Sequence, residues 1–314
     1  MFAKFMMRNT PEQAELRTLK FRLMTILPEE YQDSYETLEP VSMGSAPLKF
    51  DSDGRVAWGE IWGTFCNLAM AGGPPHKGML LEPGTVSEIQ EKPHQYRTVV
   101  DELTRGIRLA SELAVTGSQR DGWVRVDCGD PTMAGWLLRA VVMENISCRL
   151  EGTAIDLPAG PHYRVEKEIK NVITTAAKTS HYWNGHMWRT QKEEIRKTFA
   201  QMDADSPLIQ PALAGIDCSL ESHDVLYQEM ATGINARTGL SISSQRYSGW
   251  LGVECPSVRA AVWMMRVLAA MNVLARRERT ELFVPVNPVT DPQAHYVVTA
   301  VGRVHKLAQS QSVI

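Results

Sequence analysis

The 314-residue chain has no run approaching the ~20 consecutive apolar residues that a membrane-spanning helix requires. Met1 to Arg17 carry scattered charges and no apolar stretch of the length a secretory leader uses. Nor is there an excess of base: 33 Lys and Arg against 36 Asp and Glu give a formal net charge of −3. A dedicated nucleic-acid binder needs such an excess to displace phosphate counterions, so neither nucleic acid nor membrane is an expected partner. Cysteines are few and show no pairing pattern. Cys66, Cys128, Cys148, Cys218 and Cys255 are odd in number, widely spread and never in a CxxC pair. That argues against a disulfide framework and a cysteine zinc site, and for reduced, mostly buried thiols in a soluble cytoplasmic protein.

Motifs that would name a chemistry are also missing. There is no GxSxG elbow, no GxGxxG after a strand, no kinase signature set and no GxxxxGK[ST] phosphate loop. Asp51-Ser52-Asp53-Gly54 lacks the later acidic ligands of a calcium loop and reads as a turn. The sequence therefore names no cofactor and no reaction.

What is present is a repeat. Asp121–Pro161 aligns without a gap on Ser248–Pro288, at an offset of 249 − 122 = 127, with thirteen of 41 positions identical. Unrelated segments of ordinary composition would share about two or three. The identities include Gly122/Gly249, Trp123/Trp250, Cys128/Cys255, Trp136/Trp263, Arg139/Arg266, Asn145/Asn272 and Arg149/Arg276. The offset continues upstream through Leu113/Leu240, Gly106/Gly233 and Glu102/Glu229. Beyond that, a gap of about ten residues is needed to pair Gly78 with Gly215.

Within the first copy, periodicity predicts a strand over Lys77–Glu82, a helix over Tyr96–Ser111 and strands over Glu112–Thr116 and Trp123–Cys128. A helix follows, capped by Asp130 with Pro131 at its first position and running to Asn145, then a strand or hairpin over Ile146–Leu157. The second copy gives Ala212–Ser219, Val225–Thr238, Leu240–Ser244, Trp250–Cys255, Ser257–Asn272 and Val273–Val286. The order β-α-β-β-α-β is that of a ferredoxin-like, split βαβ unit. The expected fold is thus α+β, an internal duplication of two ferredoxin-like modules over 78–161 and 215–304. Residues 1–77 form an N-terminal extension: a helix from the capping box at Thr10–Gln13 to Leu27, a hairpin over Leu48–Val56 and a helix over Trp58–Ala71. Residues 162–214 supply linker helices over Val165–Lys178 and Gln191–Met202. His295–Val304 reads as an extra strand, and 305–314 as a tail that frays from Ala308.

Residues shared by both copies are expected to serve the shared fold. Trp136 with Arg139, and Trp263 with Arg266, lie three apart on one helix face. The structural reading has Trp covering the sheet, Arg tucked along it and Asn stopping the helix. The functional reading has Arg139 and Arg266 converging on an anion. Residues that only one copy or the linker carries are free to serve a task. The loop Gly72-Gly73-Pro74-Pro75-His76-Lys77-Gly78 offers close backbone approach, an imidazole and a cation, where the second copy has Ser206–Pro211. Lys167, Lys170, Asn171, Thr174 and Lys178 make a polar stripe on the first linker helix, suited to a carboxylate or phosphate or else a solvated face. That helix runs into His181-Tyr182-Trp183-Asn184-Gly185-His186-Met187-Trp188. His181 and His186 are five apart, not the i, i+4 of a zinc helix, so no tightly bound metal is expected.

Two functions remain open. In one, a small anionic metabolite or cofactor sits between the modules, held by Lys77, Lys167, Lys170 and Lys178, with His76, His181 or His186 transferring protons. In the other, the chain is a non-catalytic interaction or assembly module whose Trp-rich segments pack partner surfaces. A concave pocket separates the first from the flat apolar patch of the second.

Overall fold

The computed structural model describes residues 11–33, 47–61, 67–213 and 215–314. Helix α1 spans Pro11–Ile26 and buries Leu19, Leu23 and Ile26. Phe50 and Val56 bridge across the turn at Asp51, where the expected hairpin lies. Short 3-10 turns at Trp58–Glu60 and Ala69–Ala71 stand at the two ends of the helix expected over Trp58–Ala71. The middle of that helix, together with Thr10 and Cys66, lies outside the described residues.

The first α+β region follows. Helices α2 (Val86–Glu91) and α3 (Pro93–Ser111) precede β1 (Ala114–Gly117) and β2 (Trp123–Asp127). Helix α4 (Pro131–Met143) starts on the side chain of Asp130, which accepts from Met133 N. The hairpin β3 (Arg149–Glu151) and β4 (Ala154–Pro158) turns at Gly152, whose φ is +62°. The four strands form an antiparallel sheet in the order β1-β2-β4-β3.

Helix α5 (Lys170–His181), flanked by π-helical turns at Val165–Ile169 and Tyr182–His186, and α6 (Arg189–Asp205) connect to the second region. There α7 (Leu220–Thr238), β5 (Trp250–Glu254), α8 (Val258–Ala270), β6 (Arg276–Glu278) and β7 (Glu281–Pro285) start 127 residues after α3, β2, α4, β3 and β4. Their sheet order, β5-β7-β6, matches the first, and Ile242 bridges Val253 where β1 has its place.

The sheet order departs from a ferredoxin-like unit at one place. β2 and β3 both pair antiparallel with β4, so they are parallel to each other with β4 between them. A split βαβ unit of the ferredoxin kind gives that middle place to its first strand. Here the segment at 77–82 makes one parallel bridge instead, Leu81 to Ile146, on the far side of β3. The reason is the break at Glu151-Gly152: it folds the expected last strand back on itself, and the return limb fills the centre. In the second region the same bridge joins Ile209 to Val273, so the first segments are 128 residues apart and the ten-residue gap is not needed. Ser206–Pro211 therefore answers Gly78–Pro83, and within the strand expected at Ala212–Ser219 residues 215–217 form a turn.

The expected strand at His295–Val304 is the start of helix α9 (His295–Ser310). It packs on α7 as α5 packs on α3. A Cβ on Gly106 would lie 2.1 Å from Ile173 Cδ1 of α5, and one on Gly233 would lie 2.9 Å from Val298 of α9. The bare glycine lets each helix pair close, and this contact outweighs the β-branched character of the 296–301 run. Beyond α9, Val313 N donates to Ala308 O, and Val313 and Ile314 pack on the core instead of fraying.

The two regions share one core. α1 packs on α8 and α6 on α4. Asn145 and Asn272, both left-handed at φ near +60°, end α4 and α8 and stitch the seam. Asn145 Nδ2 donates to Lys77 O and to Arg277 O at 2.8 Å, and Asn272 Nδ2 donates to Ser206 O at 2.9 Å. Arg149, Arg120 and Asp217 add an ion cluster between the regions.

Candidate functional site

Helix α5 buries Val172, Ile173, Ala176 and Ala177. Its neighbouring ridge, every fourth residue, reads Lys170, Thr174, Lys178, Tyr182 and His186. Four of these meet a group from another element: Thr174 meets His76, Lys178 meets Glu144, Tyr182 meets Tyr31 and His186 meets Glu30. The ridge connects two polar clusters, one at each end of the helix.

The first cluster is where the 72–78 loop lands. Thr174 Oγ1 donates its single proton to Lys170 O at 2.7 Å, so it accepts from Nε2–H of His76 and leaves His76 Nδ1 as the basic nitrogen. Lys77 Nζ stands 3.5 Å from Glu168 on the π-helical turn. Below the loop lies a buried ion pair. Lys178 and Glu144 are both 0% exposed, with Nζ 2.8 Å from Oε1. Ala69 N and His76 N each donate to the Glu144 carboxylate at 2.9 Å. Arg266 Nε donates to Met70 O and Arg277 Nη2 to Gly73 O, which pins the loop from the second region.

These contacts sort the sequence candidates. His76, Lys77 and Lys170 come together at the amino-terminal end of α5, and Lys178, two turns further on, lies below them. Lys178 belongs to a buried pair rather than a solvated stripe, and Lys167 is exposed on the π-helical turn. Arg139 donates to Gly135 O and Asn272 Oδ1 and stacks on Phe199, while Arg266 Nε donates to Met70 O, so both guanidiniums make contacts at the seam. His181 and His186 lie elsewhere. At ~1.5 Å of rise per residue, His186 is roughly 16–18 Å along the helix from Thr174, so the three histidines do not line one cleft. Glu144 carries no motif, and its only mark in the sequence is contrast: the residue 127 positions on is Met271.

At the far end, His186 Nδ1 lies 2.9 Å from Glu30 Oε2, and His186 Nε2 lies 3.2 Å from His181 Nε2. Trp188 Nε1 donates to Glu29 Oε2 at 2.8 Å. A cleft of about 550 Å³ opens between Glu29, Glu30, Asn184, His186 and Trp188. Burial raises both Tyr31 and Tyr182, whose hydroxyls hydrogen-bond beneath it.

Burial pulls the His76 imidazole down to about 4, opposed by Glu144 and assisted by Lys178 and Lys170. An unfolded histidine titrates near 6.5. Between those values the unfolded chain binds the extra proton, so stability falls as pH drops from about 6.5 to 4. His76→Asn is expected to flatten part of that slope in Tm measured against pH. His181, His223 and His305, also lowered by burial, act in the same direction. A variant with the parent slope would remove His76 from this role.

Comparison with known proteins adds no relative: no protein-family model, curated protein or solved structure matches the chain. Among the described residues no helix is long and apolar enough to cross a membrane. Cys128, Cys148 and Cys255 are buried free thiols and Cys218 is half-buried. Burial pushes the Cys128 and Cys255 thiols up to about 12, which keeps them unreactive.

Proposed function

We infer that the chain is a duplication of one α+β unit and binds a small anionic metabolite or cofactor beside the His76–Lys77 loop. The recurrence of five elements at a spacing of 127 residues supports the duplication. The observation that carries the ligand reading is the meeting of the 72–78 loop with α5, which sets a half-buried neutral imidazole beside the ammonium of Lys170, with Lys77 next along the loop and paired to Glu168. Burial lowers Lys170, and an anion bound beside it would offset that desolvation of its charge. A base near 4 is weak at neutral pH. An anion bound against His76 would raise the imidazole toward neutrality, so the ligand itself would prepare the group for proton transfer.

The test is a thermal-shift panel of phosphate, sulfate and simple carboxylates on the full chain at pH 6. A binding anion at a hundred times its Kd is expected to stabilise by about 2.7 kcal/mol. Lys77→Ala with Lys170→Ala should abolish that shift and leave the Tm without anion nearly unchanged. Calorimetry in buffers of different ionisation heat should show proton uptake that His76→Asn removes. A panel with no stabilising anion would defeat the proposal. So would a double variant that melts far below the parent, which would make these lysines supports of the fold.

The second reading, an interaction module in a cytoplasmic assembly, draws on Ile216, Leu220 and Val225, all exposed within ten residues at the start of α7. Concentration-dependent sedimentation lost in Leu220→Glu would favour it.

A further inference from the structure

The five-residue spacing of His181 and His186 rules out one face of an α-helix, where partners are three or four apart. The turn that follows α5 is not α-helical. Tyr182–His186 is a π-helical turn, whose repeat is i to i+5, and it brings the two rings to a centroid distance of 5.0 Å. We propose that His181 and His186 form a two-imidazole site for an exchangeable late first-row divalent ion, Zn²⁺, Ni²⁺ or Cu²⁺, beside the 550 Å³ cleft that His186 lines.

Three features carry this beyond proximity. The first is the separation of the nitrogens. Two imidazole nitrogens at ~2.0–2.1 Å from one ion lie about 2.9 Å apart in square or octahedral geometry and about 3.4 Å apart in tetrahedral geometry. The Nε2 atoms are 3.2 Å apart. The second is the tautomer. A carboxylate only accepts, so Nδ1 of His186 carries the proton it gives to Glu30, and Nε2 keeps its lone pair. A carboxylate behind the second nitrogen is the outer support that orients a ligating histidine and raises its basicity. His181 becomes a ligand by moving its proton from Nε2 to Nδ1 through solvent, with no net loss. The third is access. Both rings reach solvent, and the cleft leaves room for the waters that complete the coordination.

Among the described residues no group of three His, Cys, Asp or Glu forms a metal cage. That sets the class: two protein ligands and water make an exchangeable site, not a structural one. Such a site is compatible with the absence of a tightly held metal that the sequence leads one to expect. The site does not depend on the anion reading at the other end of α5.

Titration calorimetry of the full chain with Ni²⁺ and Zn²⁺ at pH 7.5 tests it. The expected result is saturable binding of one ion per chain. His181→Ala or His186→Ala should weaken binding at least tenfold, and Glu30→Ala about tenfold to a hundredfold. The unmodified protein provides a check independent of folding in the variants. Sub-stoichiometric Cu²⁺ should broaden two of the eight histidine imidazole signals before the rest. Unsaturable binding, affinity unchanged in His181→Ala, or broadening spread evenly over the histidines would overturn the proposal.

Discussion

Replacing Glu144 by alanine is expected to destabilise the protein by about 3–5 kcal/mol, the cost of leaving a buried charge without its partner. The carboxylate sits at the end of α4, 0% exposed, and holds three donors: Lys178 Nζ, Ala69 N and His76 N. Alanine leaves Lys178 charged in the interior and two backbone donors unmade. The same change releases the loop that carries His76, so any anion binding there should vanish with the stability. Lys178→Met should cost less, because the carboxylate keeps its two backbone donors and the nearby charge of Arg277. The double variant Glu144→Ala with Lys178→Met should lose less than the two single losses added, since neither partner is then left as a bare charge. Urea unfolding of the four proteins measures each term. A loss under about 1 kcal/mol for Glu144→Ala would mean that water reaches Lys178 and that the pair is not the support described.

How much of this could be read from the residues differs by kind. The recurrence at 127 residues was legible because Gly, Asn, Trp and Pro have positional meaning: Asn145 and Asn272 stop helices in the left-handed region wherever the chain goes next. The break inside Ile146–Leu157 was also visible at Gly152. What followed from it was not: whether a hairpin's return limb lies inside or outside a sheet depends on contacts far away in sequence. Residues 296–301, rich in Val and Thr, suggest a strand, yet they form a helix because Val298 fits against bare Gly233. In the sequence Lys178 is one of a polar stripe that fits an anion or a solvated face. Its partner Glu144 was marked only by contrast with Met271, and a charge at a helix end is too common to single out. The π-helical turn after α5 carries no compositional signature, so two histidines five apart counted against a shared face although the backbone supplies one.

The same residue change made once in each half should have the same effect, and Gly122 and Gly249 are the place to look. Their φ values are +86° and +76°, a region that costs a residue with a Cβ about 1–2 kcal/mol. Each also faces the backbone of the segment that precedes its own long helix. A Cβ on Gly122 would lie 2.7 Å from the carbonyl oxygen of Gly84, and one on Gly249 would lie 2.7 Å from that of Ala212. These neighbours cannot swing aside as a side-chain tip could, because both are tied into the sheet. Gly84 N donates to Ala159 O and Ala159 N to Gly122 O, and in the second half Ala212 N donates to Val286 O and Val286 N to Gly249 O. Relieving the clash must stretch one of those bonds. Dihedral cost and displaced backbone together put each glycine-to-alanine change at about 2–4 kcal/mol. Gly129 also has positive φ, +69°, but its Cβ would meet nothing within 4 Å. Gly129→Ala should therefore show the dihedral cost alone, and serves as the control. Denaturant unfolding of the three variants gives the answer. If Gly122→Ala and Gly249→Ala differ by more than about 2 kcal/mol, the two turns are not mechanically equivalent despite their matching sequence. If both fall to the level of Gly129→Ala, the close approach of the preceding segment is not what holds them.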